Sequence, residues 1–314
     1  MKKIFCKLML GALLTGSLVN AQGDASRITL TPYIAPEVEE VTQASTSLLT
    51  NKLNQVLNEN GLAGNGMSRF IITANVTVLS KDVLPTAPPS IAYTFDVTLY
   101  IGDGIDGNKF TSHNMTLKGV GMNETKAMME AIKQIRPKDE GLQSFVTQGK
   151  SKIVQFYNQR CDLIIKEAKL LESQNRFEEA IFKLTSIPEA SLDCYNKALD
   201  LLGPLYAKYI DRDCKQKLQD ATVIWNANQT VEAANEIAGI LSSIDPQASC
   251  QKEVKAFSDK VAKRVLQLTD REWNFKVDSE IGLKRDLIKA YRDVGVAYGK
   301  GQPNSVVYNV RGWW

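Results

Sequence analysis

The sequence predicts an α+β protein, with a small mixed-sheet α/β domain followed by an all-α helical-hairpin repeat domain. Three observations carry that expectation. Before residue 121, apolar and polar residues alternate in several short runs, the period of half-buried strands. After residue 143, apolar residues recur every three or four positions, the period of amphipathic helices. The second half also holds two cysteine-bracketed units that read alike. Cys161-Asp-Leu-Ile-Ile-Lys-Glu-Ala168 runs on to Asn175-Arg-Phe-Glu-Glu-Ala180, and Cys194 closes the unit. Cys214-Lys-Gln-Lys-Leu-Gln-Asp-Ala221 runs on to Asn228-Gln-Thr-Val-Glu-Ala233, and Cys250 closes that one.

Residues 1–21 read as a secretory signal. Lys2, Lys3 and Lys7 make a positive start, residues 8–19 are a short apolar stretch, and Val19-Asn20-Ala21 is a small-residue cleavage pattern. The mature chain is expected to begin at Gln22. The apolar run falls short of the roughly 20 residues a membrane span needs. Cys6 precedes it, so it does not stand where a lipid-anchor cysteine would. The expectation is an exported protein, periplasmic or beyond, and soluble after cleavage.

In the α/β domain, residues 22–142, residues 27–33 alternate like a strand. Pro36 is expected to open a helix with Glu37, Glu39 and Glu40 in its first turn, as the helix dipole favours. Gly61 should stop that helix. Residues 70–79 read as a long strand, Pro85, Pro88 and Pro89 as a stiff loop, and residues 91–101 as a second strand. Gly102-Asp-Gly-Ile-Asp-Gly107 reads as a turn and residues 110–120 as a third strand. Gly119-Val-Gly121 is taken as a further turn, and Asn123 as the cap of a helix reaching Ile135.

In the helical domain, residues 143–300, Ile153, Tyr157, Cys161, Ile164, Ala168 and Leu171 mark one helix and Phe177 to Ile187 its return. Tyr195 to Tyr209 marks the next, which Gly203-Pro204 is expected to kink or interrupt. Further helices are expected around Leu218 to Trp225, Val231 to Ile244 and Val254 to Val265, with a last one over residues 281–298. Ala168 and Ala180, like Ala221 and Ala233, are small residues placed where paired helices could approach closely. The tail, residues 301–314, is Gly/Pro-led and ends in Trp313-Trp314. It could serve as an edge strand or docking peptide. Folding back on its own domain is the favoured expectation, because aromatics left in water are unfavourable.

Charge and cysteines narrow the function. The chain carries 38 basic and 35 acidic residues, and removing the three leader lysines leaves the rest formally neutral. That argues against nucleic acid as a partner, since phosphate-backbone binding needs a basic excess. Setting Cys6 aside leaves four cysteines in an exported chain, which favours disulfides over metal because no CxxC spacing exists. Of the three pairings, Cys161–Cys194 and Cys214–Cys250 are expected, because the start of an antiparallel hairpin lies beside its end.

Candidate chemistry is thin. His113 is the only histidine and sits in an expected strand without a nearby nucleophile arrangement. Asp103-Gly-Ile-Asp106-Gly-Asn108 lacks the bidentate glutamate of a calcium loop, so a hairpin turn using Gly and Asn explains it better. Glu37, Glu39 and Glu40 share one short turn and do not straddle a sugar bond. No catalytic, metal or cofactor residues are therefore expected. Tyr206, Tyr209, Trp225, Trp273, Trp313 and Trp314 are the candidate partner-binding residues, since aromatics anchor protein interfaces.

Two resemblances add to this reading. Phe70-Ile-Ile-Thr-Ala-Asn-Val76, followed by Gly119-Val-Gly-Met-Asn-Glu-Thr-Lys-Ala-Met-Met-Glu-Ala131, resembles the small α/β domains of the TolB amino-terminal and curli-secretion-lipoprotein group. Asn175-Arg-Phe-Glu-Glu-Ala-Ile181 resembles a tetratricopeptide repeat, with Asn228 opening a degenerate second copy. Together they imply a non-enzymatic cell-envelope scaffold or assembly factor. Its partners would be envelope proteins, and any hold on the outer membrane would pass through one of them. The alternative is a periplasmic module binding a glycan or peptide between its domains.

Overall fold

The computed structural model of the chain describes residues 28–36, 42–64, 68–270, 273, 287–301, 308–310 and 312–314. The leader, the expected mature start at Gln22 and the Glu37, Glu39 and Glu40 group lie outside the described residues. The fold is α+β, a four-stranded mixed sheet followed by helices. The strands are β1 (Leu30–Pro32), β2 (Phe70–Leu84), β3 (Ser90–Asp103) and β4 (Lys109–Gly121), ordered as in the chain. β1 runs parallel to β2, joined through α1 (Gln43–Glu59); the β2–β3 and β3–β4 pairs are antiparallel.

Period-two alternation decides the faces of the sheet. Phe70, Ile72 and Ala74 of β2 and Phe95, Val97, Leu99 and Ile101 of β3 point into the main core. There they meet Leu49, Leu53, Val56 and Leu57 of α1, Ala127, Ala131 and Ile132 of α2 (Glu124–Lys133), and Phe145 and Val146 of α3 (Glu140–Ser173). The opposite face carries Ile71 and Tyr100, which form a second, smaller core with Val310 and Trp313.

Two local signals differ from their sequence reading. α1 is capped by Thr42, whose hydroxyl accepts from the Ser45 N–H, so the helix starts past Pro36 and has no acid in its first turn. Gly119 and Gly121 are the last strand residues of β4, not a turn. A Cβ on Gly119 would sit 1.9 Å from the Ala127 carbonyl, and one on Gly121 would sit 2.4 Å from the Ala127 nitrogen. Glycine is required there because the α2 backbone crosses the strand in contact. Asn123 caps α2 as expected, accepting from Lys126 N–H at 2.9 Å.

The helical region alternates long and short helices: α3, then α4 (Phe177–Thr185), α5 (Leu192–Ala227), α6 (Val231–Ser242), α7 (Gln251–Thr269) and α8 (Leu287–Gly301). α3 alone has 34 residues, the length of a whole tetratricopeptide unit. Its first half covers the sheet and its second half enters the helical stack, so the residue 142/143 division falls inside it. α5 is continuous through Gly203-Pro204 and unites two segments read as separate helices. Cys161 bonds Cys194 and Cys214 bonds Cys250, with Cα separations of 5.6 and 6.3 Å. Each bond ties the middle of a long helix to the start of the next, bracketing the short helix between them. Ala168, Ala180, Ala221, Ala233 and Ala234 are all buried in the main core.

Replacing Cys161 by Ser is expected to cost about 3–4 kcal/mol, read as a lower urea midpoint. Replacing Gly119 by Ala should cost about 1–3 kcal/mol by forcing α2 off the sheet, checked the same way.

Candidate functional site

The described chain gathers its unusual chemistry at the β3–β4 turn. Asp103, fully buried, ends β3 and organises the turn. Its Oδ1 accepts from the backbone N–H groups of Ile105 and Asp106 at 2.9 and 3.0 Å. Its Oδ2 accepts from Arg69 Nε at 2.6 Å and from the Tyr157 hydroxyl of α3 at 3.4 Å. All four contacts are donors, the arrangement of an ionised carboxylate. Arg69 also pairs with Asp106, and its guanidinium lies 5.8 Å from the Phe182 ring of α4. The acidic turn read against calcium thus serves Arg69 and its own backbone.

Burial pushes the Asp103 carboxyl above its ordinary value, and the neighbouring Arg69 charge pulls it back. Burial works to lower the Arg69 value, yet the charge of Asp103 leaves the guanidinium above its usual range. Burial also raises the Tyr157 hydroxyl, so it stays a donor.

The turn is glycine-rich on the side that faces the last residues of the sequence. A Cβ on Gly102 would lie 2.2 Å from the Trp313 ring and one on Gly104 2.3 Å from the Tyr308 ring. One on Gly107, where φ is +73°, would lie 2.9 Å from the Asn309 amide. The segment is held by polar contacts as well. Asn309 N–H donates to the Gly104 carbonyl at 2.6 Å, Trp313 Nε1 to the Gly107 carbonyl at 2.9 Å, and the Tyr308 hydroxyl to the Ser68 carbonyl at 2.9 Å. Lys109 Nζ donates to the Trp313 carbonyl at 2.8 Å and stands 5.0 Å over the Tyr100 ring. The described tail residues therefore fold back onto the far face of the sheet, where Tyr308, Val310 and Trp313 meet Ile71 and Tyr100.

The six aromatics singled out in the sequence fall into separate places. Trp313 and Trp314 both approach Tyr100, with centroids 6.3 and 6.1 Å away; Trp313 is buried and Trp314 is 43 % exposed. Tyr206 and Tyr209 are neighbours in the helical stack, where Tyr206 lies 5.1 Å from Tyr291 of α8 and donates to Asp245 at 2.8 Å. Trp225 is buried in the core, and Trp273 donates to Asn235 at 3.4 Å. His113 rests 5.7 Å from Phe145. Among the described residues no group of three or more His, Cys, Asp or Glu could hold a metal ion, and no helix is long and apolar enough to cross a membrane. The sequence reading did not single out Arg69 or Lys109, and took Gly102, Gly104 and Gly107 as turn residues without the space they leave for Trp313 and Tyr308. Glycine spacing along Gly102, Gly104 and Gly107 was the available signal.

No family model and no curated protein matches the chain. Two solved structures resemble part of it. One, a minor lipoprotein from Acinetobacter baumannii, is 18 % identical, covers 39 % of this chain and 92 % of its own, and has a TM-score of 0.26. The other, provisionally described as a lipoprotein from Caulobacter crescentus, is 12 % identical, covers 42 % and 86 %, and has a TM-score of 0.21. At these scores neither likeness bears on the function of this chain.

Removing the Asp103 carboxylate alone, as Asp103→Ala, strands the buried Arg69 charge and is expected to cost about 3–5 kcal/mol. The double change Arg69→Met with Asp103→Leu should cost clearly less than the two single changes added together, measured as a double-mutant cycle in urea.

Proposed function

We propose that the protein is an exported, non-enzymatic scaffold of the cell envelope that holds protein partners against its helical stack. The observation that carries this reading is the pair of disulfides, each bracketing a short helix between two long ones. Such bonds persist in oxidising compartments outside the cytosol. They hold the relative placement of α3, α5 and α7 without any ligand, with α4 and α6 bracketed between them, and a surface whose shape is held in advance loses less entropy on binding a partner.

The leader pattern supports export, and the near-neutral remainder favours protein over polyanionic partners. The long helices support the scaffold reading further. α3 is anchored on the sheet at one end and enters the stack at the other, so a partner bound at one part is placed relative to the rest. Stacked helical units present extended surfaces of the kind used to hold other proteins.

Fractionation of cells expressing the full chain, followed by peptide mapping, tests the reading. The expected product is extracytosolic, begins at Gln22, and contains the Cys161–Cys194 and Cys214–Cys250 peptides as linked pairs. A reduced protein retained with the cytosol would refute the proposal.

A further inference from the structure

We propose that the β3–β4 turn, with the sheet face beneath it, is a peptide-recognition site for an aromatic segment of the Tyr-Asn-Val-x-Gly-Trp kind. Its resident occupant is residues 308–310 and 312–314 of the same chain, a displaceable ligand. This is independent of the scaffold reading, which concerns the helical stack.

The site has the parts of a side-chain pocket. Gly102 leaves the space that the Trp313 ring fills, and Tyr100 flanks that ring at 6.3 Å. Gly104 leaves the space for Tyr308, which meets Tyr33 edge-on with centroids 4.9 Å apart. Val310 is buried with Ala35 and Ile71 in the small core between them. Each half-buried polar end has a partner: the indole N–H on the Gly107 carbonyl, the Tyr308 hydroxyl on the Ser68 carbonyl, and the Trp313 carbonyl on Lys109. Buried aromatic anchors with satisfied polar ends are the recurring core of recognition sites.

The mode of attachment argues for a ligand rather than a fifth strand. Between the described tail and the turn there is one backbone–backbone hydrogen bond, Asn309 to Gly104, and no strand ladder. The remaining contacts are made by side chains or to them, so an identical segment presented on another molecule could make them equally well. Tethering gives the resident segment a high effective concentration, so it holds the site by proximity. A partner bearing an aromatic segment of the same chemistry would compete with it.

The test uses the intact chain with a protease site placed within residues 302–307 and cut after folding. The released peptide should remain with the protein through desalting and exchange with a fluorescent copy of Tyr-Asn-Val-Arg-Gly-Trp-Trp in a saturable manner. Gly104→Val should abolish that exchange. In the uncut chain it should speed hydrogen exchange at the Trp313 N–H by about tenfold or more. Loss of the peptide on desalting without uptake of the labelled copy would overturn the proposal. So would equal uptake by the Gly104→Val protein, or unchanged exchange at Trp313. A concentration-dependent dimer of the uncut chain that disappears with Trp313→Ala would place the segment in a second copy, and the assignment to the same chain would fail.

Discussion

The fold turns on one buried carboxylate. Asp103 is out of contact with water and would be strongly unfavourable there alone. Its four donors come from three parts of the chain: the turn it opens, Arg69 just before β2, and Tyr157 in the middle of α3. Satisfying this group forces the turn to close, β2 to enter beside β3, and α3 to lie across the end of the sheet. Arg69 then reaches Phe182, so the same charge pair touches the helical stack. The turn held in this way leaves Gly102, Gly104 and Gly107 open toward the last residues of the sequence.

Covalent and packing constraints extend that placement. The long helices belong to more than one layer: α3 covers the sheet with Phe145 and Val146 and enters the stack with Cys161, Ile164 and Ala168. Cys161–Cys194 and Cys214–Cys250 then hold the start of the next long helix against its middle. α8 lies over α4, where Gly295 faces Thr185 and Phe182, and Tyr291 meets Tyr206 of α5. Tyr308, Val310 and Trp313 pack on the opposite face of the sheet. The described core is accordingly continuous from Ile28 to Tyr291.

Much of the local structure was legible because it rests on local physics. Strand alternation, the Asn123 cap and the stop near Gly61, with its φ of +65°, each depend on residues a few positions apart. The cysteine pairing was also readable, but its geometry was not. A hairpin of equal helices would bring the same cysteines together as the long–short–long arrangement found, so spacing alone does not separate the two. Pro204 shows the converse: a residue that breaks isolated helices sits within α5, which its neighbours and two disulfides hold on either side. Gly119 and Gly121 read as a turn because glycine permits turns; here it permits contact between backbones, a property of the partner helix.

The amino-acid order by itself determined the class of fold, the ends of most elements and the partners of the four cysteines, since these follow from period, capping and chain geometry. Only the tertiary structure decided that Arg69, Asp103 and Tyr157 share one buried site and that the Trp313 ring occupies the space above Gly102. Those contacts join residues as much as 206 positions apart. No periodicity links them, because what selects them is the need to pair a buried charge and to fill a gap left by missing side chains.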